Sequence, residues 1–151
     1  FGNSSGYSGT LTVNNGTAVS FNSPNSGSAS AAWVFNDATA GRVRINVGNN
    51  TLNFGSLSGS GQFVNNTSST TSVLSVGAAN TSTTFAGTMK DNGTGILALL
   101  KTGTGTLGLT GASAYSGGTT INGGTIGVES GGEGNGSTFW FTISDREEEA
   151  A

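Results

Sequence analysis

Acid–base chemistry in this chain would have to come from eight acidic and five basic side chains, because it contains no histidine and no cysteine. Without histidine the commonest general base and transition-metal ligand are missing. Without cysteine there is neither a disulfide framework nor a thiolate. The candidates that remain are Asp37, Asp91, Glu129 and Glu133, with Lys90, Lys101, Arg42 and Arg44 as cationic partners. A carboxylate pair is the machinery of glycoside hydrolysis. Glu129 and Glu133 are four residues apart across a Gly turn, close enough to meet. Arg42 and Arg44 share one face of a strand and suit an acidic sugar. Against this, the acids do not gather in the sequence, and solvated surface groups are the expectation. We assign no catalytic, cofactor-binding or metal-ligating residue and expect no cofactor.

Other chemical patterns dissolve on inspection. The many serines lack a base to activate them, and Gly59-Ser60-Gly61 reads as a turn. Asp91-Asn92-Gly93 is a turn signal and not a calcium loop. The string GGEGNG at 131–136 lacks the Lys-Ser/Thr ending and the helix of a phosphate loop. Thr10-Leu11-Thr12 and Thr102–Thr106 resemble the threonine rows of ice-binding solenoids, but the middle of the chain does not repeat them. Asn-x-Ser/Thr sites at Asn15, Asn66 and Asn80 read as turns.

Any site must be positioned by strands. Gly, Ser, Thr and Asn supply 86 of the 151 residues, and no segment keeps a 3.6-residue apolar period over three turns. Apolar residues instead alternate between Asn/Gly punctuation. Strands are expected at Thr10–Val13, Ala18–Phe21, Ala32–Phe35, Arg42–Val47, Thr51–Phe54, Gln62–Val64, Val73–Val76 and Thr83–Phe85. Further strands are expected at Ile96–Leu100, Thr106–Leu109, Thr119–Ile121, Thr125–Val128 and Thr138–Ile143. In the fourth, Val43, Ile45 and Val47 face one way and Arg42 and Arg44 the other.

The net charge of −3 is concentrated late, with five of thirteen charges in the run Asp145–Glu149. No basic patch exists to neutralise phosphates, so nucleic acid is not an expected partner. No apolar run approaches the roughly 20 residues a membrane-spanning helix needs.

Residues 7–17, YSGTLTVNNGT, return as YSGGTTINGGT at 115–125, with seven of eleven positions identical at an offset of 108. Such an echo marks stacked repeats. Turn starts at 14, 49, 65, 91 and 122 average 27 residues apart, which implies five or six coils. At ~4.8 Å per strand the stack would rise on the order of 25–30 Å. The reading is an all-β parallel β-helix, with an antiparallel β-sandwich as the alternative. Residues 1–143 form one solenoid domain and 144–151 a charged tail. Phe139-Trp140-Phe141 and the charges behind it are a candidate C-terminal cap for the exposed strand edges.

Residues 99–128, LLKTGTGTLGLTGASAYSGGTTINGGTIGV, resemble the autotransporter-associated β-strand repeat. The matching elements are Lys101–Leu107, Leu109–Gly111, Tyr115–Thr119 and Asn122–Thr125, with a looser likeness back to about residue 5. The resemblance implies a right-handed parallel β-helix displayed outside the cell, as a piece of a larger secreted protein. It names no catalytic residue. Residues 123–143 also resemble the last strand pair of histidine-kinase ATP-binding domains, at Gly123, Gly124, Ile126, Val128, Glu129, Ser130, Gly136, Ser137, Thr138, Phe139 and Phe141. That family's asparagine-bearing helix and glycine-rich lid are absent, so this reads as a similar hairpin or a recombination junction and not as kinase function.

The expected function is a non-catalytic extracellular or cell-surface segment of a passenger: a stalk, adhesin or assembly module. Its expected partners are glycans, or copies of itself through coil edges. The alternatives are a β-helix polysaccharide lyase or glycoside hydrolase, and a self-assembling filament subunit.

Overall fold

The computed structural model describes residues 2–16, 18–39 and 43–123, together with the backbone of 126–130 and 137–141. The strands are β1 (Thr10–Val13), β2 (Val19–Phe21), β3 (Ser28–Phe35), β4 (Val43–Ile45), β5 (Thr51–Gly59), β6 (Gln62–Asn65) and β7 (Thr71–Val76). They continue as β8 (Thr83–Phe85), β9 (Thr88–Lys90), β10 (Ile96–Thr102), β11 (Leu107–Leu109), β12 (Thr119–Asn122), β13 (Ile126–Ser130) and β14 (Ser137–Phe141).

The chain winds as a β-solenoid of about five turns with three faces. One face is the parallel ladder β12-β10-β7 and the first half of β5, with Ser28 of β3 at its end. The second runs through β1, the second halves of β3 and β5, then β8 and β11. The third is β2-β4-β6-β9, extended by a bridge from Lys90 to Ala114. Every ladder between coils is parallel, which excludes the sandwich. Parallel neighbours need a crossover, and here each crossover is one circuit of the coil.

Paired residues lie between 20 (Val43 and Phe63) and 26 (Phe63 and Met89) positions apart. This is shorter than the 27 expected from turn spacing. The turns behind that mean sit on different corners: residue 14 follows the second face, 49, 65 and 91 follow the third, and 122 follows the first. The longest strand path holds six strands, β1 to β12, so the stack rises about 24 Å.

The echo is out of phase with the coil. Val13 heads the column Val13–Phe35–Gly59–Phe85–Leu109. Its counterpart Ile121 ends the column Ser28–Phe54–Val76–Lys101–Ile121. The repeated phrase encodes a local strand entry. Tyr7 Oη donates to the Thr10 carbonyl at 2.9 Å, and Tyr115 Oη lies 2.6 Å from Thr119 Oγ1.

Inward positions carry the core. Trp33, Phe21, Phe35, Phe54, Phe63 and Phe85 are fully buried. Trp33 stacks on Phe54 with ring centroids 4.6 Å apart, and Phe63 meets Phe35 and Phe85 edge-on. Val43, Ile45 and Val47 point inward and Arg44 outward, as the alternation implied; Arg42 lies outside the described residues.

Two corners are closed by stacked glycines. A Cβ on Gly87 would lie 1.9 Å from the Gly61 carbonyl, and one on Gly111 1.9 Å from the Gly87 carbonyl. At the other closed corner, a Cβ on Gly103 would lie 2.1 Å from the Gly77 carbonyl. At the third corner Gly48, Gly93 and Gly118 have nothing within 4 Å, while a Cβ on Gly95 or Gly117 would lie 2.7 Å from the Thr67 carbonyl or 2.5 Å from the Leu97 carbonyl of the coil before.

Polar side chains bind one coil to the next. Asn46 donates to Asn22 at 2.8 Å and Asn92 to Asn66 at 3.2 Å, within one row Asn22–Asn46–Asn66–Asn92. Asn36 donates to Asn14 at 3.1 Å. Side-chain amides thus link neighbouring coils at these three places.

The sequence reading missed β9, whose Met89 is the sole apolar residue between Thr88 and Lys90. It also missed a one-turn 3-10 helix at Pro24–Ser26, which Ser23 and Ser26 close with a capping box. Beyond β12, β13 and β14 pair antiparallel, from Ile126 with Phe141 to Ser130 with Ser137, and β14 lies beside β11.

Candidate functional site

The last described coil holds a cavity of about 480 Å³, lined by Leu99, Lys101, Leu107, Leu109, Tyr115 and Ile121 among others from residues 99 to 121. Lys101 is the one charged group among its described lining residues. The alternation of β10 turns Leu97, Leu99 and Lys101 the same way, inward. Lys101 thus sits in an otherwise mostly apolar column between Val76 and Ile121 and is only 5% exposed. Its ammonium donates to the Thr102 carbonyl at 2.6 Å and the Gly103 carbonyl at 3.0 Å. These bonds hold the corner where Gly103 turns at φ +67.

Burial pushes the Lys101 pKa below its ordinary 10.5, because a desolvated ammonium is costly. The unfolded chain therefore binds this proton more tightly, and stability contributed at this site rises as pH climbs from the folded value toward 10.5. Chemical denaturation across the alkaline range is expected to show that rise in the wild type and its loss in Lys101→Met.

The candidate carboxylates do not form a pair. Asp37 is 5% exposed; it accepts from Gly16 N at 2.7 Å and from Thr39 N at 2.9 Å. Asp91 accepts from Leu97 N at 2.7 Å and from Ser116 N at 3.0 Å. Each ties its corner to the neighbouring coil, at Gly16 and Ser116 respectively, and the two belong to different coils. The Glu129 side chain and all of Glu133 lie outside the described residues, as does the 131–136 string. Lys90 is half-buried on β9, and Arg44 faces solvent on β4.

Burial alone would raise the Asp91 pKa, but hydrogen bonds from Ser116 and Leu97 outweigh it and hold the carboxyl below its ordinary 3.8. The sign follows: stability from this site is full above 3.8 and is lost as pH falls through the lower folded value. Asp91→Asn is expected to flatten that part of the acid unfolding profile, measured as denaturation midpoint against pH.

The remaining motifs are structural. Ser60 N and Gly61 N both donate to the Phe35 carbonyl of the coil before, so Gly59-Ser60-Gly61 is a structural bend at the end of β5. Thr10 and Thr12 pair with Ala32 and Val34, so the threonine row stops after one rung. Among the described residues no group of three or more His, Cys, Asp or Glu is placed to hold a metal, and no helix is long and apolar enough to cross a membrane.

The structure is thus a parallel solenoid in which the two described acids, Asp37 and Asp91, are engaged by backbone amides, with a cation-bearing cavity in its last described coil. That coil is also where a family is recognised: residues 99–128 match the passenger-associated-transport-repeat. The repeat spans 30 of the 151 residues and includes every residue lining the cavity. No curated protein and no solved structure matches the chain. The repeat and the solenoid together fit a segment of an autotransporter passenger.

The sequence offered Lys101 as a cationic partner for the candidate carboxylates, with a solvated surface position as the expectation. Its parity with Leu97 and Leu99 was the signal that it points inward. The coil-to-coil reach of Asp37 and Asp91 had no local signal, since Ser116 is 25 residues from Asp91.

Proposed function

We propose that this segment is a non-catalytic stalk of an autotransporter-like passenger, held at the cell surface. The observation that carries the reading is the coincidence of a passenger repeat with a stack in which Asp37 and Asp91 each clamp backbone amides. Each carboxylate is committed to backbone amides that fix its corner, and the two lie on different coils and do not meet as an acid–base pair. The outer positions, rich in Asn, Ser and Thr, suit weak contacts to glycans or to a second copy.

The test is display. Fused to an outer-membrane barrel translocator, the segment is expected on the outside of intact cells, cut by added protease without lysis. Retention inside the cell overturns the reading. So does turnover of acidic polysaccharides by the purified chain that Glu129→Gln or Glu133→Gln abolishes. Assembly is read separately, as mass over a dilution series.

A further inference from the structure

The described residues hold three Asn-Gly pairs, at 15–16, 92–93 and 122–123. This dipeptide is prone to one reaction. The glycine nitrogen attacks the asparagine Cγ, a new C–N bond closes a five-membered imide, and the side-chain amide nitrogen leaves as ammonia with the displaced proton. Water then opens the ring to aspartate or isoaspartate. The only co-reactant is water. The reaction needs a free glycine N–H and room for the side chain to fold back.

The first two pairs differ in just these respects. Gly16 N donates to Asp37 Oδ2 at 2.7 Å. The bond is charge-assisted, and an adjacent carboxylate opposes loss of that proton. Asn15 is thereby shielded. Gly93 is the second residue of a tight turn closed by Asn92 N to Gly95 O at 3.2 Å and Gly95 N to Asn92 O at 3.1 Å. Its own N–H donates to no protein group. It turns at φ +62, and nothing lies within 4 Å of the place a Cβ would take. Asn92 is exposed, and its amide is held by a single 3.2 Å bond to Asn66 Oδ1. Asn122 belongs to β12 and is paired with Thr102.

We propose that Asn92 is a site of spontaneous self-modification, converted to aspartate or isoaspartate in the folded protein, while Asn15 is protected by Asp37. Conversion replaces the donor to Asn66 with a second acceptor, so the amide row loses its last link, and it adds a negative charge next to Asp91.

The test is peptide mapping by mass spectrometry after incubation of the folded protein in mildly alkaline buffer. Residue 92 is expected to gain about one dalton at least about tenfold faster than residue 15, because the Gly16 bond to a charged group must first break. In urea the two are expected to react at similar rates. Asp37→Ala is expected to raise the rate at Asn15; should that variant not fold, the folded-against-unfolded comparison of the wild type decides alone. Equal rates at 15 and 92 in the folded protein, or an unmodified Asn92, overturn the proposal.

Discussion

Trp33→Ala is expected to cost about 3–5 kcal/mol, the range for truncating a buried aromatic. Trp33 is fully buried and packs on Phe21, Phe35 and Phe54 of the aromatic cluster. It stacks on Phe54 at 4.6 Å and meets Phe21 edge-on at 5.4 Å. Its indole N–H donates to the Ser28 carbonyl at 3.2 Å, and truncation leaves that acceptor without its donor. The loss is a large share of the whole stability of a domain, about 5–15 kcal/mol. Urea denaturation is expected to show a sharply lower midpoint or no folded baseline. Leu11→Ala, half-buried on β1 and packed against the cluster, is the milder control. A Trp33→Ala midpoint close to that of Leu11→Ala would mean that the aromatic cluster does not hold the coils together.

Gly59→Ala is expected to cost about 3 kcal/mol, from a left-handed backbone and from overpacking together. Gly59 turns at φ +97, and a Cβ there would lie 2.1 Å from the Phe35 carbonyl oxygen. That neighbour is backbone and is itself bonded to Ser60 N and Gly61 N, so it cannot yield. Gly118→Ala separates the two contributions. Gly118 turns at φ +77 with nothing within 4 Å, so it should lose only the conformational part. Thermal or chemical denaturation reads both; equal costs would show that the close approach at Gly59 contributes nothing.

Much of the winding was legible because strands carry a period of two. Thr10–Val13, Thr83–Phe85 and the inward set Val43, Ile45 and Val47 were readable from alternation alone. Nearly all the strands followed from the same pattern and from the Asn/Gly punctuation, which left the parallel coil and the antiparallel sandwich both open; the parallel ladders decide between them. Strand ends were less legible. β5 runs on to Gly59 because Gly55, pressed between the Ala29 and Ala31 carbonyls, bends it onto a second face. A bend inside a ladder looks in sequence like the end of a strand. The phase of the coil was hidden too, because the Tyr7 and Tyr115 phrases share a local entry motif on different faces. The partners of Asp37 and Asp91 depend on coil length, which varies from 20 to 26. No spacing rule could have named Ser116.

Three glycine turns have an architectural meaning. At Gly48, Gly93 and Gly118 the backbone on one corner faces empty space, while Gly95 and Gly117 beside two of them stay pressed on the neighbouring coil. Foreign peptide grafted at these three points would hang clear of the winding along one edge.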